Sequence, residues 1–418
     1  MIQVQRRFIV GSMGLLLALL CGCGKKGGKI LYAVAPGSNA VSIFEVTSAG
    51  ALSTVAEPVA TGQGPVAMAI DPLLRFAYVL DAAGGIGLGG VSQYVLSPGN
   101  GGLVVASLPS ASGPSSPSVP IPTGVNPTAV AIDTTGSFLF AANHGSAGSA
   151  CDTASSSPAL NCTISVYTID STGGALSEVK QLQPPCTPTQ VASCPFPITP
   201  FGASGLSPNA LATTGKMLFV ALTNATAGTG SIATYTFTTA TQNVTQLTCP
   251  SGPGCLQNPP SSTITVGVNP TAMVMDPQSK FLFVTDATAN TVTALSIGSS
   301  GQLAIVGSPT PTGTTPVSVW VHPDGKFLFT ANLGSNNVSG FSIDGSGGLT
   351  ALSGFPASVG TSPSSVTTDK AGNFLFVANR DANTISVFSV DSSGALKAVE
   401  NSPFPSVVVN PVALVSLN

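Results

Sequence analysis

Residues 269–295 contain a unit that recurs along this chain. They read NPTAMVMD (269–276), KFLFVTD (280–286) and NTVTAL (290–295). Further copies open at Pro65, Pro127, Pro316 and Pro363, and a degenerate copy lies near Pro208. Pro316 follows Pro270 after 46 residues, and Pro363 follows Pro316 after 47. A period of this length is typical of proteins in which each repeat packs only against its neighbours.

Each copy predicts four β-strands. The mostly apolar run after the proline is expected to be a strand buried on both faces. The Phe-Leu-Phe-Val-x-Asn segment predicts a second strand, and Val/Ile-Ser/Thr-x-Tyr/Phe predicts a third. A glycine-rich hairpin and a leucine predict a short fourth strand, although the copy near Pro208 lacks this leucine in register. The third-strand pattern occurs seven times, starting at Val41, Val91, Ile164, Ile232, Val292, Val338 and Ile385.

The two ends of the chain share one repeat. Residues 29–52 contain the second to fourth strands of a copy, and residues 410–417 (NPVALVSL) contain a first strand alone. A C-terminal strand that joins the N-terminal repeat would close a ring, which protects exposed strand edges. The sequence therefore predicts an all-β, seven-bladed β-propeller over residues 29–418. A linear solenoid is the alternative, but it would not split one repeat between the termini. Four stretches are predicted loop insertions: 109–122, 147–161, 183–204 and 248–262.

Composition excludes several classes of function. Charged residues make up 7% of the chain and the formal net charge is −3. Beyond the first 25 residues, Arg75 and Arg380 are the only arginines. Nucleic-acid binding requires clustered basic residues, so it is not expected. No zinc, EF-hand or phosphate-loop motif is present, so neither a metal nor a cofactor is expected. We expect a monomer.

Residues 1–23 predict a signal peptide with a lipobox. Arg6 and Arg7 precede an apolar run of thirteen residues, which is too short to span a bilayer comfortably. In the segment 20–23 (LCGC), Cys23 is the predicted lipidation site because Gly22 precedes it, whereas Cys21 follows the bulky Leu20. An ordinary cleaved signal peptide is the alternative. Residues 24–28 then form a flexible tether. These features predict export and a lipid anchor in the membrane of a bacterial cell envelope.

The six remaining cysteines form three close pairs in Pro/Ser/Thr-rich stretches: Cys151 and Cys162, Cys186 and Cys194, and Cys249 and Cys255. An oxidising compartment favours three local disulfides in that pairing. Six cysteines allow fifteen pairings, so this choice depends on proximity alone. Metal ligation is a weaker alternative because none of the pairs has C-x-x-C spacing.

The three strand motifs resemble those of the bacterial lactonase-type seven-bladed propellers, which include 6-phosphogluconolactonase and carboxymuconate-cyclising enzymes. They also resemble surface propellers named for Tyr-Val-Thr-Asn repeats. The resemblance covers residues 29–418 and implies fold more strongly than activity. Lactonases often place His or Arg just after the blade-opening proline. Here that residue is uncharged in six copies: Val66, Thr128, Asn209, Thr271, Val317 and Ser364.

Residues that break a repeat column are candidates for a site. Asp71, Asp133, Asp276 and Asp369 recur after the first strand, with His322 in the same slot, so a structural role is expected for them. His144 and Arg380 follow the second strand, where other copies have Ala or Leu. On that face of a propeller, His144 could act as a base and Arg380 could hold a carboxylate or oxyanion, with help from Asp381 or Asp286. Alternatively, Arg380 pairs with Asp381 and His144 has no catalytic role.

These residues leave three alternative hypotheses for the function. The first is a binding or scaffold module that uses its loop-rich channel face for a glycan, a peptide or a small molecule. The second is a lactone hydrolase that uses His144 and Arg380. The third, a metal- or cofactor-dependent oxidoreductase, needs several inward histidines or acids, and the chain has two histidines. Scarcity of catalytic residue types favours the first.

Overall fold

The computed structural model describes residues 29–83, 89–98, 100–106, 120–145, 163–179, 196–197, 206–237 and 262–417. These residues form seven antiparallel sheets of four or five strands each. We number the sheets as blades 1 to 7 in the chain order of their second strands. The described residues contain no helix, and hence none that is long and apolar enough to cross a membrane.

Every blade runs from an inner first strand to an outer fourth strand. The first strands of blades 1 to 7 are β33 (Ala413–Leu417), β5 (Gln63–Ile70), β10 (Pro127–Ile132), β15 (Leu206–Thr213), β19 (Pro270–Met275), β23 (Pro316–Val321) and β28 (Pro363–Thr368). The second strands are β1 (Lys29–Ala35), β6 (Phe76–Ala83), β11 (Phe138–Asn143), β16 (Met217–Asn224), β20 (Phe281–Asp286), β24 (Phe327–Asn332) and β29 (Phe374–Asn379).

The third strands are β2 (Ala40–Val46), β7 (Gly90–Leu96), β12 (Thr163–Ile169), β17 (Thr229–Thr236), β21 (Thr291–Ile297), β25 (Asn337–Ile343) and β30 (Thr384–Val390). The fourth strands are β3 (Leu52–Thr54), β8 (Leu103–Val105), β13 (Leu176–Glu178), β18 (Ser262–Gly267), β22 (Leu303–Pro311), β26 (Leu349–Ala351) and β31 (Leu396–Ala398). Five blades add a short strand beside the third: β4 (Val59–Ala60), β9 (Ile121–Pro122), β14 (Phe196–Pro197), β27 (Ala357–Ser358) and β32 (Phe404–Pro405).

The ring closes as the sequence predicts. The C-terminal strand β33 pairs antiparallel with β1, from Ile30 opposite Leu417 to Val34 opposite Ala413. First strands of neighbouring blades contact one another in the cyclic order β33, β5, β10, β15, β19, β23, β28 and back to β33. The seven-bladed propeller is therefore confirmed, with one blade built from both ends of the described chain.

The hydrophobic core lies between the blades. Seven clusters of buried side chains each join two neighbouring blades. The central aromatic of each second strand is fully buried: Tyr32, Tyr78, Phe140, Phe219, Phe283, Phe329 and Phe376. Aromatic side chains remove the most apolar surface from water per residue, so this column supplies much of the interblade packing.

Two sequence expectations about strands need correction. In blades 1, 2, 3 and 5 the first strands are only half-buried along most of their length. In blades 4 and 7 they are mostly buried, and the second strands are buried almost throughout. The first strand borders the central channel and has no strand on its inner side, so the second strand is the one covered on both faces. In blade 4 the fourth strand is β18, which follows the predicted insertion at 248–262 and includes Ser262.

Candidate functional site at the channel mouths

The channel has two mouths with different residues. At the loop mouth the first strands begin and the second strands end, as the pairing of Pro127 with Asn143 shows. At the turn mouth the first strand turns into the second in blades 2 to 7, through Asp71 in blade 2 and Asp369 in blade 7. His144 and Arg380 both lie at the loop mouth.

The residue after each blade-opening proline sits in a β-bulge in blades 2 to 7. A bulge changes the direction of a side chain. In four blades this side chain donates a hydrogen bond to the carbonyl oxygen of the next blade's opening proline: Thr128 to Pro208 at 3.0 Å, Asn209 to Pro270 at 2.9 Å, Thr271 to Pro316 at 2.7 Å and Ser364 to Pro411 at 2.8 Å. In this protein, the position where lactonases often carry His or Arg therefore holds side chains that link neighbouring blades by hydrogen bonds.

In blades 3 to 7 the Asn or Asp that ends the second strand is held in one of two ways. In blades 3, 6 and 7 the amide nitrogen of Asn143, Asn332 or Asn379 donates to a serine hydroxyl of the third strand at 2.9 to 3.0 Å. In blades 4 and 5, Asn224 and Asp286 accept backbone N–H groups of the following turn. Both arrangements stabilise the blade by hydrogen bonds.

His144 has a backbone fixed by its own blade. Its N–H donates to the carbonyl oxygen of Asn126 at 3.0 Å, and the N–H of Gly145 donates to that of Val125, also at 3.0 Å. The imidazole is half-buried, and burial lowers its pKa from the ordinary value of 6.5. The ring is consequently neutral at neutral pH, as a general base must be.

Arg380 is paired with its neighbour. Its Nε donates to Asp381 Oδ1 at 2.8 Å and its Nη2 donates to Asp381 Oδ2 at 3.3 Å. Asp381 Oδ2 also accepts the hydroxyl of Ser362 at 2.6 Å. Hydrogen bonds from Arg380 and Ser362 lower the pKa of Asp381 to about 2, and the same pairing raises the pKa of Arg380. The pairing expected as the alternative is confirmed.

The structure does not place His144 and Arg380 on neighbouring blades. His144 follows the second strand of blade 3 and Arg380 that of blade 7, so two blades separate them on one side of the ring and three on the other. Asp286 is also occupied, because its two oxygens accept four backbone N–H groups: Val268, Asn269, Thr288 and Ala289. Of these four predicted residues, His144 is the one whose neutral imidazole suits a general base.

The acidic column at the turn mouth is structural, as predicted. Asp71 Oδ1 accepts the N–H of Phe76 at 2.7 Å, and Asp133, Asp276 and Asp369 accept the equivalent N–H at 2.6 to 2.8 Å. His322 takes a different role in its slot. Its Nε2 lies 2.9 Å from the carbonyl oxygen of Gly372, which can only accept, so Nε2 carries the proton and joins blade 6 to blade 7.

Sequence reasoning missed a cavity of about 680 Å³ at the turn mouth. Leu74 lies on its wall. The signal for it was present: Leu74 stands where the copies in blades 3, 6 and 7 have Gly136, Gly325 and Gly372. It also missed Asp81, a fully buried carboxyl group at the end of β6.

The described residues contain no group of three or more His, Cys, Asp or Glu side chains placed to hold a metal ion. Cys23 and the six cysteines predicted to form disulfides, residues 151, 162, 186, 194, 249 and 255, lie outside the described residues. The predicted lipidation and disulfides therefore stay predictions.

Comparison with known proteins agrees with the fold. The family model "Lactonase, 7-bladed beta-propeller" matches residues 29–185, 229–355 and 350–406. The chain belongs to this lactonase family of seven-bladed propellers. No curated protein matches the chain.

Solved structures of similar fold include a candidate 6-phosphogluconolactonase from Bacteroides fragilis, with 17% identity, a TM-score of 0.67, and coverage of 94% of this chain and 99% of that one. They also include a periplasmic gluconolactonase from Pseudomonas aeruginosa, with 19% identity, a TM-score of 0.66, and coverage of 93% and 99%. At these identities the likeness shows the fold.

Proposed function

We propose that this protein hydrolyses an uncharged lactone at the loop mouth, with His144 as general base. The observation that carries the proposal is a neutral, half-buried imidazole on a fixed backbone at the channel mouth of a lactonase-family propeller. The imidazole would take a proton from water as the water oxygen bonds to the lactone carbonyl carbon. The ring C–O bond then breaks, and the imidazolium returns the proton to the departing alkoxide, which yields a hydroxy acid.

The charges at this mouth favour an uncharged substrate. The side chains after the opening prolines carry no charge, and four of them are hydrogen-bonded to the next blade. Arg380 is neutralised by Asp381 at 2.8 Å. A phosphorylated lactone needs cationic partners that the described part of this mouth does not offer, so a sugar or aliphatic lactone without phosphate fits better.

The test is lactone hydrolysis followed by pH-stat over a panel of sugar and aliphatic lactones. His144→Ala is expected to lower kcat/KM by about 100-fold or more, the usual contribution of a general base. Activity should fall as pH drops through a pKa below 6.5, because protonation removes the base. Leu333→Ala changes the same repeat column in blade 6 and serves as the matched control. Hydrolysis that His144→Ala leaves unchanged would exclude this base.

A second candidate function is a binding or scaffold module at the same mouth. The hydrogen-bonded blade-opening side chains and the Arg380–Asp381 pair favour it, because they leave few free reactive groups there. Folded protein that hydrolyses none of the lactones would support this alternative, and binding of glycans, peptides and small molecules would then be measured at the loop mouth.

We also propose export, a lipid anchor at Cys23 and three local disulfides. The periplasmic location stated for the Pseudomonas aeruginosa relative supports export. Cys23→Ser is expected to move the protein from the membrane fraction to the soluble fraction, whereas Cys21→Ser should leave it membrane-bound. Mass spectrometry of non-reduced peptides should link residues 151 with 162, 186 with 194 and 249 with 255. If Cys21→Ser instead released the protein from the membrane, the lipidation site would be assigned to Cys21.

A further inference from the structure

The cavity at the turn mouth is lined mainly by apolar side chains of four blades. Met68 and Ile70 come from blade 2, Met275 from blade 5, Trp320 from blade 6 and Leu414 from blade 1. Blade 7 adds the hydroxyls of Thr367 and Thr368. The volume of about 680 Å³ is that of a typical small-molecule site.

The carboxylates at the rim of the cavity are already paired. Asp71 Oδ2 accepts Nε of Arg75 at 2.9 Å, and its Oδ1 accepts backbone N–H groups of the turn. Asp369 Oδ2 forms an ion pair with Lys29, which also lies 5.2 Å above the ring of Phe374. Lys370 also lines the cavity and is exposed. A ligand at this mouth therefore meets mainly apolar carbon, a few hydroxyls and one ammonium group.

Leu74 extends this apolar surface at the cost of backbone strain. It has φ +57°, a left-handed conformation. Gly136, Gly325 and Gly372 occupy the same column with φ +69° to +74°, and blade 5 has the small Ser279 there with φ +55°. A bulky residue in this region is unusual and marks a position at which function can outweigh stability. Its side chain lies on the cavity wall and is 44% exposed, and the adjacent Leu73 is 64% exposed.

We propose that the turn-mouth cavity is a second ligand site, which binds an uncharged aliphatic molecule with Leu74 at its entrance. The site is independent of the proposed hydrolysis, because it opens at the mouth opposite to His144. The channel shape and the methionine, tryptophan and leucine walls suit a flexible alkyl chain, since methionine adapts to varied apolar shapes. The wall hydroxyls of Thr367 and Thr368 suit a single polar end group such as an alcohol.

The test uses the neutral probe N-phenyl-1-naphthylamine. Trp320 is the only tryptophan in the chain and lies on the cavity wall, with Nε1 donating to Thr368 at 3.0 Å. Bound probe should quench Trp320 emission by energy transfer in a saturable titration, and 1-decanol should displace it. Met275→Asp is expected to weaken probe binding at least ten-fold. Val104→Asp, on the exposed outer strand β8, is the matched control and should change it less than two-fold.

Leu74→Gly gives a second, independent readout. Glycine relieves the left-handed strain, so Tm should rise by about 1–3 °C, while probe binding should weaken at least three-fold. Because Leu74 lies on an exposed turn, this variant tests the site even if Met275→Asp does not fold. Folded wild-type protein without saturable quenching would overturn the proposal, as would an unchanged affinity in Leu74→Gly. If the probe does not bind and the wild type forms a dimer that Leu74→Gly abolishes, Leu73 and Leu74 would instead be assigned to contact with a second copy of the chain.

Discussion

Removal of residues 412–418 is expected to abolish cooperative folding of the propeller. The deleted segment contains β33, the inner strand of blade 1, which pairs with β1 through five residue pairs. Its loss exposes the edge of β1 and uncovers parts of two interblade clusters, between blades 1 and 2 and between blades 7 and 1. The lost packing and pairing are comparable with the roughly 5–15 kcal/mol by which a folded domain is stable. An open edge of this kind also promotes aggregation.

The experiment compares thermal unfolding by circular dichroism and elution in size-exclusion chromatography. The truncated chain should lose its unfolding transition or elute as aggregate. A synthetic peptide of residues 410–418 added in trans should restore the monomer peak and part of the transition, whereas a scrambled peptide should not. A truncated chain that unfolds at the wild-type Tm would show that β33 is dispensable.

Asp81→Asn is expected to stabilise the protein above neutral pH. Asp81 is fully buried, its Oδ2 accepts the hydroxyl of Ser92 at 2.6 Å, and its Oδ1 has no hydrogen-bond partner. Burial raises its pKa from 3.8 to about 7. The folded state therefore binds a proton that the unfolded state has lost between pH 4 and pH 7. Across that window the free energy of unfolding falls as pH rises, by roughly 4 kcal/mol for about three pKa units.

Asparagine should fit this position because blade 6 already contains the same arrangement. There the Nδ2 of Asn332 donates to Ser339 at 2.9 Å, and the N–H of Gly313 donates to the same hydroxyl at 3.1 Å. Chemical denaturation at pH 5 and pH 8 should show a pH-dependent loss of stability in the wild type and a flatter profile in Asp81→Asn. Equal slopes in the two proteins would rule out Asp81 as the source.

Asp286→Asn is the matched control, since it makes the same change in the same column of blade 5. Both oxygens of Asp286 accept backbone N–H groups at 2.5 to 3.0 Å. An amide replaces one acceptor with a donor that faces these N–H groups, so Asp286→Asn should destabilise the fold by about 1–3 kcal/mol. At pH 8 the free energy of unfolding should therefore rise in Asp81→Asn and fall in Asp286→Asn. This contrast would distinguish a buried carboxyl that lacks a hydrogen-bond partner from one whose oxygens are all hydrogen-bonded.

The contrast between Asp81 and Asp286 shows where sequence reasoning ends. Both carboxyls end a second strand and are interchangeable in the repeat pattern. Their environments differ because residues outside the pattern approach them. The Ser92 hydroxyl donates to Asp81 and leaves Oδ1 without a partner, whereas a turn and the segment before β19 surround Asp286 with N–H groups. A column alignment contains no information on these approaching groups.

The number of blades, the order of the strands and the closure of the ring by residues 413–417 could all be predicted from the sequence. These features follow from local patterns of period two and from strand motifs that recur in the same order in each copy, both of which are present in consecutive residues. The folded ring was needed to show that Arg380 is neutralised by Asp381, that His144 and Arg380 lie on blades that are not neighbours, and that an apolar cavity opens at the turn mouth. Each of these depends on the direction of side chains, or on contacts between blades far apart in sequence, and the assembled ring alone sets both.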